Sequence, residues 1–152
     1  LISSSYSTIE ALKASEVLKE VNVNVELFDL RALRPLKLEK IYNSVKKTGK
    51  IMTIDTGFKT LGIGSEIVSS VYEHCFNDMK APPKRLGLPD HPTPSSRGYI
   101  QNYYPDAFMI IEMVSSQLNL PENIKLKALD ILSKSKSNIS IDIPDPSFQG
   151  PF

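Results

Sequence analysis

The sequence predicts an α/β domain of three layers, a mostly parallel sheet of about five strands with helices packed on it. Two observations predict it. Short apolar runs alternate with amphipathic stretches along most of the chain. The length, 152 residues, is that of one domain able to bury about two-thirds of its unfolded surface.

Leu1-Ile2 reads as the end of a first strand. In Ser7-Thr8-Ile9-Glu10 the spacing predicts a capping box, with Ser7 accepting from a first-turn amide and Glu10 reaching back to the Ser7 amide. Ile9, Leu12, Val17 and Leu18 then follow helical spacing as far as Glu20. From Val21 to Leu30 apolar and polar residues alternate, which predicts a strand over 23–29. Pro35 suits a helix start, and Leu38, Ile41, Tyr42 and Val45 recur at i, i+3, i+4 and i+7. Gly49 stops that helix, with Lys46 and Lys47 set against the negative end of its dipole. A third strand is expected over 50–55, a glycine-bearing loop over 57–64, and a helix over 65–76 that buries Ile67, Val71 and Cys75. Pro82-Pro83 breaks the chain before a short edge strand over 84–88, and 87–104 is irregular. Pro105 opens a last regular helix with Phe108, Ile111, Val114 and Leu118 inward.

The composition changes after Leu118. Residues 1–119 are expected to form the domain and 120–152 a C-terminal extension. The extension comprises a helix from Pro121 to Leu132, a Lys/Ser linker over 133–140, and a tail over 141–152 too rich in proline for a helix. The chain begins at Leu1 inside an apolar segment, and the expectation is that it is a piece of a larger subunit.

Charge and cysteine usage exclude whole classes of function. Lys and Arg total 18 against 17 Asp and Glu, for a net charge of +1, which excludes the electrostatic footprint of a general nucleic-acid binder. No apolar run approaches the roughly 20 residues of a membrane span. A single cysteine, Cys75, excludes an intramolecular disulfide framework and a cysteine-cluster zinc site, and fits a reducing cytoplasmic setting.

Few residues suggest chemistry. Gly62-Ile63-Gly64 leads into a helix, where exposed amides and the dipole suit a phosphate. Ile67 stands where the dinucleotide fingerprint needs its third glycine, so a tight loop that lets the helix pack on the sheet is the stronger reading. Asp29 and Asp55 end strands, but Ser3-Ser4-Ser5 occupies the place where a phosphoacceptor domain has an acidic pair. His74 precedes buried Cys75 on a helix. His91 lies in the proline loop with no titratable partner close in sequence. Cys75 has the spacing of a small apolar filler. Taken alone, these residues make no active site.

A resemblance adds what spacing does not. Asp29-Leu30-Arg31-Ala32-Leu33-Arg34-Pro35-Leu36, Ser44-Val45-Lys46-Lys47-Thr48-Gly49-Lys50 and Gly62-Ile63-Gly64-Ser65-Glu66-Ile67 are similar to the transketolase C-terminal domain family. The nearest branch is the beta subunit of thiamine-diphosphate-dependent 2-oxo acid dehydrogenases of the pyruvate, acetoin and branched-chain types. Ala81-Pro82-Pro83-Lys84-Arg85, Asp90-His91-Pro92-Thr93-Pro94 and Pro105-Asp106 continue the resemblance in order as far as Leu118. Gly87-Leu88-Pro89-Asp90 also resembles deoxyxylulose-phosphate synthase.

The resemblance implies a domain with no catalytic, cofactor-binding or metal residues of its own. Thiamine diphosphate and Mg²⁺ would belong to other domains of the parent enzyme, and this one would serve assembly and frame the active-site entrance. The implied partners are the other domains and subunits, as a homodimer or an α2β2 assembly, and an acyltransferase core. No nucleic acid and no membrane is implied, and the location is cytoplasm or organellar matrix. Arg31 matches the arginine that contacts a substrate phosphate in deoxyxylulose-phosphate synthase; a loop-holding Arg31 paired with Asp29 is the bland reading. Asp90 matches the acidic position that helps dock the acyltransferase core's binding domain, against a loop-capping Asp. The chain departs from the family after Leu118, and its tail, with Phe148 and Phe152, is expected to pack on a neighbouring domain or subunit. Two other readings stand: a free-standing interaction module, and a small nucleotide-binding protein that uses Gly62 to Gly64.

Overall fold

The computed structural model describes residues 1–100 and 102–135. Four strands, β1 (Ile2–Ser3), β2 (Phe28–Asp29), β3 (Met52–Phe58) and β4 (Lys84–Leu88), form one parallel sheet in the order β2-β1-β3-β4. This is one strand fewer than expected among the described residues. Five α-helices accompany them: α1 (Ser7–Glu20), α2 (Glu39–Thr48), α3 (Ile63–Cys75), α4 (Ala107–Leu118) and α5 (Glu122–Ser135).

The layering follows from the direction of each crossover. From β1 the chain steps one way to β2, then returns past β1 to β3 and on to β4. Right-handed crossovers in opposite directions put their helices on opposite faces. Accordingly α1 lies on one face with α4 and α5, around Ala14, Leu18, Met52, Ile54, Ile110 and Ile111. On the other face α2 and α3 enclose Ile2, Ile41, Val45, Ile51, Ile67 and Val71. Met52 and Ile54 face one cluster and Ile51 the other, the alternation of a strand covered on both sides.

Several elements depart from the sequence reading for identifiable reasons. The capping box is absent: Tyr6 is the N-cap and no side chain caps α1. Ser7 is fully buried, with Oγ donating to Ser4 O at 2.7 Å and lying 3.1 Å from Ile54 O, so it ties the β1–α1 turn to β3. Glu10 reaches forward rather than back, Oε2 accepting from the Ala107 N–H at 3.0 Å at the start of α4. In the second strand Phe28 and Asp29 pair with Ile2 and Ser3, whereas Val23, Val25 and Leu27 pack against the α1 side as irregular chain. Pro35 lies in an exposed loop, and α2 begins at Glu39. Gly49 stops α2 as expected, at φ 73. Lys47 does more than face the helix end: its Nζ donates to Glu26 Oε1 at 2.5 Å, holding that carboxyl below the usual carboxylate range. The third strand runs on to Phe58 because β4 pairs with it that far. Asp106, one residue after Pro105, caps α4 by accepting from the Met109 N–H at 2.9 Å.

The C-terminal helix runs to Ser135, beyond Leu132, and takes in the first residues of the expected linker. It buries Ala128 and Leu132 against α1 and α4. The remainder of the linker and the tail, including Phe148 and Phe152, lie outside the described residues.

Two close approaches control the packing. Ala11 and Ala14 are fully buried while Leu12 is 48% exposed, so α1 turns its small residues inward and Leu12 outward. Gly64 brings α3 against β3, where a Cβ would stand 2.6 Å from Thr53 Oγ1. Ala14→Leu overpacks this layer and is expected to lower stability by about 1–3 kcal/mol in urea unfolding, whereas Leu12→Ala should cost less than about 0.5 kcal/mol. Gly64→Ala should likewise destabilise, by about 1–3 kcal/mol. A Thr53→Ala background should relieve part of that cost, read as a coupling energy in a double-mutant cycle.

Candidate functional site

In an open parallel sheet the loops after the carboxyl ends of the strands gather along one edge, and ligands favour the point where strand order reverses. Here that point lies between β1 and β3. It is closed by the Ser7 hydroxyl, which bonds the turn after β1 to the Ile54 carbonyl. Several polar groups of the edge bond to one another.

On the β2 side a relay of short side chains ends at Arg31. Ser3 Oγ donates to Thr8 Oγ1 at 3.0 Å, and Thr8 Oγ1 donates to Asp29 Oδ1 at 3.2 Å. The other carboxylate oxygen, Oδ2, accepts from Arg31 Nε at 3.0 Å. Arg31 is nonetheless 89% exposed, and an ion pair this open to water contributes at most about 1 kcal/mol. The structure therefore puts Arg31 in the loop-holding pose, with its guanidinium at the surface.

On the β4 side the β3–α3 loop is fastened at several points. The Lys59 N–H donates to Leu88 O at 2.9 Å. Arg85 Nη1 donates to Lys59 O at 2.8 Å and to Ser65 Oγ. Thr60 Oγ1 donates to Asp90 Oδ2, so Asp90 ties its loop to the neighbouring one while remaining exposed. Between these ties Leu61 is 97% exposed and has φ 59, a left-handed backbone that a bulky side chain rarely takes. Phe58 is half exposed beside it.

The glycine loop does not fit a diphosphate. A Cβ at Gly62 would lie 2.1 Å from Phe58 O, and one at Gly64 would meet Thr53. Both glycines are explained by close protein packing, so no open cradle is left for a phosphate. Among the described residues no group of three or more His, Cys, Asp or Glu is placed to hold a metal ion, and no helix is long and apolar enough to cross a membrane.

The histidines and the cysteine lie in ordinary settings. His74 Nδ1 is 2.8 Å from Ser70 O, and its ring stacks on Tyr42 with centroids 4.5 Å apart. Exposed His91 has Nδ1 3.1 Å from Pro92 O and its ring 5.1 Å from Tyr103. Cys75 is buried, and burial pushes its thiol pKa up. Sequence reasoning missed Thr60, Leu61 and Arg85. Arg85 was within reach, because in Lys84-Arg85-Leu86 it must point to the face opposite Leu86.

The family model for "Transketolase, C-terminal domain" matches residues 1–107. The mitochondrial pyruvate dehydrogenase E1 component subunit beta of Saccharomyces cerevisiae is 36% identical over 112 residues, covering 72% of this chain and 31% of that protein. The corresponding subunit of Pisum sativum is 40% identical over 84 residues, covering 55% of this chain and 23% of its own length. The 2-oxoisovalerate dehydrogenase subunit beta of Pseudomonas aeruginosa is 41% identical over 86 residues, covering 57% of this chain and 24% of its own length. The chain thus spans less than a third of the length of these relatives. With the parallel sheet, the two helical layers and the matched residues 1–107, this chain belongs to the transketolase C-terminal domain family.

Proposed function

We propose that this chain is the C-terminal domain of the beta subunit of a thiamine-diphosphate-dependent 2-oxo acid dehydrogenase. In that enzyme it holds subunits together and frames the active-site entrance, and it performs no catalytic step. The observation that carries this reading is the carboxyl edge of the sheet. There Thr8, Asp29, Arg31, Thr60, Asp90 and Arg85 are engaged in bonds within the chain, while Leu61 and Phe58 present apolar surface on the same edge. Such an edge suits contact with another protein surface. The names of the relatives support pyruvate or a branched-chain 2-oxo acid as the parent enzyme's substrate. The cofactor and Mg²⁺ then belong to the rest of that enzyme, in the cytoplasm or an organellar matrix, as part of a homodimer or an α2β2 assembly.

Asp90 is the contact we assign to an acyltransferase core. It is exposed, and the Thr60 hydroxyl engages one carboxylate oxygen. A carboxylate at the rim of an interface steers a basic partner and acts mainly on association rate. Arg31 acts in this setting as a loop tie, supported by its bond to Asp29.

Isothermal titration of the 152-residue chain with thiamine diphosphate and Mg²⁺ should give no binding heat; saturable heat would refute the non-catalytic role. In the parent enzyme Leu61→Asp should weaken subunit association by roughly 30-fold, as for an interface hot spot of about 2 kcal/mol. Activity lost on dilution and regained at high protein concentration is the expected signature, and an unchanged assembly would remove Leu61 from the interface. Asp90→Lys should slow association with the acyltransferase core and flatten its salt dependence. Arg31→Ala should leave KM for the 2-oxo acid within about twofold; a rise of tenfold or more would instead favour the substrate-phosphate role.

A further inference from the structure

Helix α5 lies outside residues 1–107, the part of the chain that the family model matches. It rests in the furrow between α1 and α4 and touches both. Ile124, Ala128, Ile131 and Leu132 fall at i, i+4, i+7 and i+8, the spacing with which an amphipathic helix fills a groove. Ala128 and Leu132 are buried there, and Ile124, Leu129 and Ile131 pack partly against the same cluster.

Helix α5 is held differently from its neighbours. The Ser7 hydroxyl ties α1 to β3, and Glu10 ties α1 to the start of α4. Gln117 Nε2 fastens the end of α4 by donating to Ile51 O at 3.1 Å and Pro82 O at 3.0 Å. By contrast, among the described residues the side-chain hydrogen bonds and ion pairs of α5 run within α5. Lys125 pairs with Glu122, Lys134 with Asp130, and the Ser133 and Ser135 hydroxyls donate to Asp130 O and Leu132 O. Apolar contact, which is non-directional, is what seats this helix. Ser115 opposes the packed arrangement. Its Oγ is buried without a hydrogen-bond partner among the described residues, and an unsatisfied buried hydroxyl disfavours the state that buries it. Its carbonyl accepts from the Leu120 N–H at 3.0 Å, so Ser115 stands where the chain turns from α4 into α5. A helix of 14 residues is marginal on its own in water. It therefore leaves the furrow by unfolding as a unit, a local opening short of global unfolding.

We propose that the furrow between α1 and α4 is a docking site for an amphipathic helix of a neighbouring subunit, with α5 as the resident occupant that must lift before the partner enters. The walls of the furrow are fixed by their own hydrogen bonds, so they persist when α5 leaves. The partner is a helix with an apolar stripe at the spacing of α5, because that is the shape the furrow already accepts. No directional bond selects α5 over another helix of this kind. The furrow uses none of Phe58, Thr60, Leu61 and Asp90, so the following experiments read it separately from the carboxyl edge.

The probe is a fluorescein-labelled synthetic peptide of residues 121–135, titrated by anisotropy into the 152-residue chain. Leu132→Asp in the chain puts a charge at a buried position and should lift α5. The peptide should then bind saturably, at least tenfold tighter than to the unaltered chain, where α5 competes. A peptide carrying Ala128→Glu should bind the same variant at least tenfold more weakly. No binding to the Leu132→Asp chain, or equal binding to both chains, would overturn the proposal. Hydrogen exchange of the unaltered chain tests the opening without a destabilising substitution. The Leu132 amide should exchange at least 100-fold faster than that of Ile110, and Ser115→Ala should slow Leu132 at least threefold. Exchange of Leu132 as slow as that of Ile110, or no slowing by Ser115→Ala, would also overturn it.

Discussion

Helix α1 is enclosed by the sheet, α4 and α5, and much of the fold depends on how little room it takes. Ala11 and Ala14 are fully buried, and Val17 and Leu18 complete the inward surface. A helix with neighbours on more than one side needs small residues where they approach, so its apolar pattern loses the single stripe of a surface helix. That small girth lets α4 lie across α1, and Glu10 fixes the crossing by taking the Ala107 N–H, one of the unpaired donors at the start of α4. The carboxylate is also favoured there by the positive end of the α4 dipole, beside which the capping Asp106 sets a second negative charge. The position of α4 then makes a seat for α5.

A similar economy of space governs the other face. Gly64 allows α3 to touch β3 at Thr53, and Gly62 leaves no gap beside the Phe58 carbonyl. These contacts pull the β3–α3 loop tight, and the ties from Arg85 and Thr60 hold it on both flanks. The result is a loop whose shape is dictated by its surroundings rather than by the preferences of its own residues.

Most of the layering was legible in the sequence because it rests on periodicity. The strand at 84–88, the buried Ile67, Val71 and Cys75, the stop at Gly49 and the helix after Pro105 all come from local patterns. What escaped involves partners distant in sequence. Ser7 and Glu10 have the spacing of a capping box, but Ser7 sits beneath Ile54 and Glu10 beside Ala107. Tertiary bonds there outweigh a motif worth about 1 kcal/mol. Leu12 shares the helical spacing of Ile9, Val17 and Leu18, yet inside a crowded layer the smaller Ala11 and Ala14 are the residues that fit. Of the site, the pairing of Arg31 with Asp29 was readable from their spacing. The Thr60–Asp90 bond joins loops that follow different strands and has no local signal.

Leu61 combines a left-handed backbone with an exposed apolar side chain. Left-handed backbone costs a non-glycine residue about 1–2 kcal/mol, and its side chain, 97% exposed, recovers little by burial among the described residues. Asparagine or glycine would sit more easily at that φ, as Gly49 and Asn119 do at the ends of α2 and α4. The surrounding ties hold the conformation in place, so the backbone cost is carried by well-packed neighbours. Loops shaped in this way present an apolar side chain at a fixed position, and the conformational entropy of ordering the contact has been lost before any surface meets it. In the proposed assembly role, a fixed apolar point beside the exposed carboxylate of Asp90 would supply affinity and orientation together.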